Sequence, residues 1–265
     1  MTKRQANTTS TNKRGSSALA PVMLIGVLLI VWQLCSDLGV MPKYMLPSPT
    51  DVLAAFIGDF PALMTHARVS LTEAFLGLGT AILLSFTVAF LMDRFRLVRE
   101  AVYPIVILTQ TVPTVAIAPL LVLWLGYGIL PKVVLIVITC FFPMTIGLLS
   151  GFASADPDFI NMMRAMGASP WQIFRYVKLP SSLEQFFSGL RIAASYSVVG
   201  AVISEWLGGF EGLGVYMTRV KNSYSFDKMF AVILLISIIS LVLIKTVDLL
   251  KNRAMPWTRL SGEKS

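Results

Sequence analysis

Six stretches of this chain are each long and apolar enough to cross a bilayer, and the Lys and Arg residues collect between them. A helix needs about 20 mostly apolar residues to span the hydrocarbon layer. The runs fall at about 18–37, 69–92, 101–125, 131–153, 186–207 and 228–250. The fold class they predict is all-α, a polytopic integral membrane protein with six transmembrane helices within 18–253. Composition agrees: 55% of residues are hydrophobic, 14% are charged, and mean hydropathy is +0.74. A soluble domain carries about 25% charged residues. The net charge of +8 sits in clusters between spans and forms no basic stripe on a soluble fold, so nucleic acid is not an expected partner. Cys35 and Cys140 lie inside apolar runs and read as small buried hydrophobes. Residues 1–17 are polar, basic and rich in Ser and Thr, which predicts a disordered tail, and 254–265 form a second tail. The first apolar run is too long for a signal peptide and is followed by no small-residue cleavage site, so it is read as a retained span.

The basic residues orient the spans. With both termini inside, 16 of the 22 Lys and Arg fall on or near the cytoplasmic side and 6 outside. The external segment 38–66 holds Pro47 and Pro49, with Thr50 or Asp51 placed to cap a short amphipathic helix through Phe56. His66, the single histidine, has no sequence neighbour that makes it a ligand or base, and reads as an interfacial polar residue.

The cytoplasmic loop at about 153–185 carries dense local signals. Asp156-Pro157 starts a helix that Gly167 ends in the left-handed conformation, and Ser169-Pro170 starts a second that runs to Lys178 and stops at Leu179-Pro180. Ser181 or Ser182, with Glu184 or Gln185 three residues on, then begins span five. The loop therefore reads as two short helices hinged at a glycine. Its apolar members, among them Met162, Met163, Met166, Trp171 and Phe174, exceed what two one-sided faces need. They suit a partner groove; the alternative is a helix pair resting on the inner leaflet, with Arg164, Arg175 and Lys178 touching lipid phosphates.

The loop sequence "MGASPWQIFRYVKLP" (166–180) has Gly167 and, after nine residues, Val177-Lys178-Leu179-Pro180. It resembles the "EAA" loop of the permease subunits of binding-protein-dependent ABC importers, whose pattern is Glu-Ala-Ala, three residues, Gly, nine residues, Ile-x-Leu-Pro. Asn161-Met162-Met163 stands where Glu-Ala-Ala is usual. The resemblance runs from about Leu46 to Trp257. "LPSP" (46–49), "QTVPTVAIAPLLVLWLGYG" (110–128) and "AVISEWLGGFEGLGVYM" (201–217) are similar to the branch for nitrate, sulfonates, taurine and thiamine pyrimidine precursors. With "FFP" (141–143) and "FDKMFAVI" (226–233), they look most like permeases for hydroxymethylpyrimidine- or formylaminopyrimidine-type precursors. The resemblance implies a multi-pass protein of the bacterial inner or plasma membrane, paired with a second permease copy, an ABC ATPase subunit and an extracytoplasmic binding protein. It implies no cofactor bound by this chain, with ATP held by the partner subunit, and no bond chemistry of its own. Coupling to the ATPase would fall on Asn161, Met162, Met163, Met166, Gly167, Ala168, Trp171, Phe174, Leu179 and Pro180.

Span three holds Pro104, Pro113 and Pro119, each of which removes a backbone donor and kinks a helix. Polar, irregular backbone at membrane depth is tolerated where it faces protein or a water-filled cavity. Thr109, Gln110, Thr111, Pro113 and Thr114 are therefore candidates for a translocation path; the alternative is that the threonines satisfy carbonyls that the prolines free. In span five Gly189, Ala193, Ser197 and Ala201 recur every four residues, a small face suited to close helix packing, and Glu205 continues the spacing. Ser197 and Glu205 join the path candidates, with an interfacial Glu as the other reading. Glu73 is the second carboxylate at membrane depth; Arg68 is the cation near it on the sequence, at an i,i+5 spacing that is poor helix-face geometry for a pair. No GxxxxGK[ST] sequence and no His/Cys cluster occurs. A membrane-embedded enzyme would need convergent acids or a metal cluster. An ATP-independent transporter would be favoured by inverted repeats or intramembrane charge pairs, neither of which is visible in the sequence.

Overall fold

The computed structural model describes residues 16–42 and 44–256. The expected tail at 1–17 therefore lies outside the described residues except for its last two, and the tail at 254–265 outside them beyond 256. The described chain is helical throughout: α1 Ser16–Asp37, α2 Pro49–Gly58, α3 Phe60–Arg94, α4 Arg96–Thr111, α5 Thr114–Leu125, α6 Ile129–Ala153, α7 Pro157–Ala165, α8 Pro170–Ile173, α9 Leu179–Gly208, α10 Leu213–Asn222 and α11 Phe226–Ala254. Five helical stretches are long and apolar enough to cross a membrane. A sixth is counted when α4 and α5 are taken as one broken span.

That broken span is the main correction to the expected helices. In place of one kinked helix at 101–125, the chain turns by 104° between α4 and α5. Val112 and Pro113 are extended, because Pro113 disfavours helical backbone at the residue before it and offers no N–H to continue the ladder. Pro104 and Pro119 stay inside helices. The second correction is in α3, which begins nine residues before the expected span and so carries His66 on a helix. The third concerns α2, whose N-cap is Ser48 and not Thr50 or Asp51. Ser48 and Asp51 form a reciprocal capping box around Pro49.

α6 and α9 pack along most of their lengths, and α3 lies against both. The main core gathers Ala81, Met92, Cys140, Met144, Leu148, Phe186 and Ala193. The small-residue face of α9 is what brings the helices together: Gly189, Ala193, Ser197 and Ala201 are all buried. A Cβ on Gly189 would overlap the Pro143 carbonyl, and one on Gly151 would overlap the Cα of Ser182. Backbone cannot swing aside as a side chain can. Gly151→Ala and Gly189→Ala are each expected to cost about 1–3 kcal/mol, measurable as a lowered Tm of the purified protein in detergent.

The 153–185 loop begins as expected. The Asp156 carboxylate caps α7 at Asp158 N–H. Gly167 has φ +79°, and Ala168 N–H donates to Met163 O while Gly167 N–H donates to Arg164 O, the paired bonds of a Schellman stop. Ser169 and Gln172 form the capping box of α8. The expected stop at Leu179-Pro180 does not occur. Phe174–Lys178 form a π turn, and the helix runs on unbroken from Pro170 to Gly208. Pro180 has no N–H, and its ring crowds the carbonyl four residues back. A wider turn just before it accommodates both effects. Ser181 and Ser182 are not caps: their hydroxyls donate to the carbonyls of Val177 and Leu179.

Candidate functional site

The break between α4 and α5 stands over a cavity of about 790 Å³ along α6 and α9. Thr109, Gln110, Pro113 and Thr114 line it at the break, Thr139, Phe142 and Ser150 from α6, and Gln185, Ser188 and Tyr196 from α9. Among the described residues, Lys, Arg, Asp and Glu are absent from the lining. The Thr109 hydroxyl donates to Val106 O and the Thr111 hydroxyl to Leu108 O. Thr109 thus satisfies a carbonyl and lines the cavity, whereas Thr111 satisfies a carbonyl and lies outside the lining. Gln185 Oε1 is buried with no hydrogen-bond partner among the described residues, a polar group of the cavity wall.

Ser197 and Glu205 are not at this cavity. Ser197 is fully buried on the α9 face that packs on α6, and its hydroxyl donates to Ala194 O. Glu205 is 1% exposed and holds the glycine-rich segment after α9. Its carboxylate accepts from Ser70 Oγ at 2.6 Å and from Gly214 N–H at 2.6 Å. Ser70 in turn accepts from Leu213 N–H. Gly212, at φ +124°, lies so close that a Cβ there would overlap the Glu205 carboxylate. His66 also has a partner that the sequence did not reveal: its Nδ1 accepts from Gly212 N–H, and its ring packs on Tyr216.

Glu73 pairs with Lys132 at 2.5 Å, and not with Arg68. Both side chains are nearly inaccessible, at 4% and 6% exposed. Arg68 lies five residues from Glu73 on the same helix, which is poor geometry for a pair. Lys132 enters from the first turn of α6. A cation and a carboxylate buried together between α3 and α6 hold each other in place.

Beside α10, Asp59 accepts from Lys228 Nζ at 2.8 Å and from the Tyr216 hydroxyl. The Lys228 bond first, then Tyr216, holds the Asp59 carboxyl below its ordinary 3.8. Burial, then the Asp59 hydrogen bond, pushes the Tyr216 phenol up. A carboxyl depressed on folding adds stability that is complete above its ordinary value and drains away as pH falls through the lowered one. Asp59→Asn is therefore expected to lower Tm slightly at neutral pH, by the equivalent of about 1 kcal/mol or less for a half-exposed pair. The two Tm curves should converge as pH falls below 3.8.

In the loop, residues expected to work together divide by exposure. Asn161, Met162, Met166, Gly167 and Trp171 are exposed. Met163, Ala168, Leu179 and Pro180 are half-buried. Phe174 turns inward and packs edge-on against Phe90 and Phe152, with Trp171 stacked on its outer side. Lys178 reaches both carboxylate oxygens of Asp93, at 2.7 and 2.8 Å, fastening the loop to the end of α3. These anchors leave Phe159, Met162, Met166, Trp171 and Tyr176 as the outward apolar surface. No group of three or more His, Cys, Asp or Glu side chains comes together for a metal among the described residues.

Residues 81–259 match the family model described as a binding-protein-dependent transport system inner membrane component. The chain is 34% identical to the formylaminopyrimidine transport permease protein ThiX of Halalkalibacterium halodurans, over 93% of this chain and 99% of that protein. It is 31% identical to the taurine transport system permease protein TauC of Escherichia coli, over 88% and 87% of the two chains. The fold is similar to that of a chain in inward-facing structures of the MetNI methionine ABC transporter, with TM-score 0.63 at 19% identity, over 74% of this chain and 98% of that one. In this family ATP hydrolysis belongs to a separate subunit, and a binding protein delivers the solute. A multi-pass helical chain with this match over more than half its length belongs to the family of binding-protein-dependent ABC transporter permeases, and it is a permease subunit of an importer and not an enzyme.

Proposed function

We propose that the cavity at the α4–α5 break is this chain's half of a translocation path for a neutral pyrimidine of the thiamine-precursor kind. The observation that carries the reading is the uncharged lining: Thr109, Gln110, Thr114 and Gln185 offer neutral donors and acceptors beside the rings of Phe142 and Tyr196. A planar, uncharged heterocycle is matched by aromatic faces and a few placed polar groups. A sulfonate or nitrate would cross this wall with no cation to meet it, which weighs against the alternative substrates. The relation to a formylaminopyrimidine permease supports the same choice. Two copies face each other across the path, with both termini and the 153–185 loops on the cytoplasmic side, each loop docked on one ATPase subunit. ATP-driven closure of the ATPases moves the loops and alternates access to the path.

The test is uptake of labelled formylaminopyrimidine by cells carrying the chain with its ATPase and binding protein. The expected result is uptake that excess taurine leaves unchanged and that Gln110→Leu reduces several-fold. Uptake of taurine with no uptake of the pyrimidine would overturn the assignment.

A further inference from the structure

A second concavity, of about 390 Å³, lies between the start of α4, the end of α6, α7 and the π turn. Its charged lining is three cations, Arg99, Arg164 and Lys178, against one carboxylate, Asp93. Lys178 occupies both oxygens of that carboxylate. Arg99 and Arg164 are exposed, and neither guanidinium has an ion-pair or hydrogen-bond partner among the described residues. The concavity therefore presents two guanidinium groups that the described residues leave unpaired. Asn161 lines the same space. Its side chain adds a neutral amide and no carboxylate to that wall. Leu149 and Phe152 form an apolar back wall.

We propose that this concavity binds a phosphate group, held by Arg99 and Arg164 with Asn161 as a neutral donor. Guanidinium forks match phosphate oxygens in pairs, and such charge-assisted bonds are about twice as strong as neutral ones. The phosphate comes either from the headgroup of an anionic lipid in the adjoining leaflet or from solution. Arg164 and Asn161 ride on α7 while Arg99 sits at the start of α4, so the bound group ties the loop to the bundle and braces it. The site stands independently of which solute crosses the membrane.

The experiment uses the full chain in neutral detergent. Native mass spectrometry follows retention of dioleoyl phosphatidylglycerol against dioleoyl phosphatidylcholine, and a thermal-shift titration follows inorganic phosphate. Selective retention of phosphatidylglycerol assigns a lipid headgroup. A rise in Tm with phosphate alone assigns a soluble anion. In either case R99Q/R164Q is expected to weaken binding at least tenfold, and Asn161→Glu, at an exposed position, to do the same by adding a carboxylate. Arg175→Gln, an exposed loop arginine outside the concavity, is expected to change nothing. Equal binding by wild type and R99Q/R164Q would overturn the site. So would unchanged anion binding together with loss of the ATPase subunit from R99Q/R164Q, which would assign these arginines to a protein contact.

Discussion

Lys132→Met is expected to lower stability by about 3–5 kcal/mol, the usual cost of leaving one member of a buried ion pair without its partner. Lys132 and Glu73 are 6% and 4% exposed, so water cannot replace the lost contact. The carboxylate must either stay charged without its ammonium or take up a proton, and both cost free energy. The pair joins α3 to α6 across 59 residues of sequence and lies at the end of the bundle where Glu205 holds the segment after α9. Removing both partners together, as Glu73→Leu with Lys132→Met, should recover most of the loss, because neither member of the pair is then left buried without the other. Thermal unfolding of the purified variants in detergent gives the comparison. A single variant no less stable than the double would show that the pair contributes by shape alone.

Gly167→Val is expected to reduce uptake by tenfold or more while leaving membrane insertion intact. A Cβ at Gly167 would meet nothing within 4 Å, so space is not the constraint. Backbone is: φ is +79°, where a β-branched residue is a genuine outlier. Relaxing the angle breaks the paired bonds that end α7, and the direction in which α8 leaves the turn changes. Gly167→Asn tolerates the left-handed conformation and should keep most uptake. Normal uptake by Gly167→Val would contradict a role for this turn in passing motion to the spans.

The straight spans and the caps of the loop helices are legible because they depend on local pattern: apolar runs, Asp156-Pro157 and Ser169-Pro170 ahead of helices, and Gly167 behind one. What is not legible depends on partners distant in sequence. Pro113 signals a disturbed helix, but a 104° break needs α6 and α9 to receive the two halves. Glu73 has Arg68 near it on the chain, yet its partner is Lys132. The four-residue spacing that puts Ser197 and Glu205 on one face is correct. Beyond Gly189, which lines the cavity, that face turns to α6 and the loop segment, because the same small residues that suit a path also suit close packing. The aromatic residues of the loop are conspicuous in sequence. Only the structure separates Phe174, anchored inside, from Trp171, presented outside.

The most direct measurement is affinity purification of the tagged chain from mild detergent, with identification of what accompanies it. An ABC ATPase subunit is expected to elute with the wild-type chain and to be reduced with Trp171→Ala, whose side chain is 60% exposed and whose removal leaves the inner Phe174 contacts in place. A folded chain that elutes alone, or an ATPase subunit held equally by Trp171→Ala and wild type, would contradict docking through this loop surface.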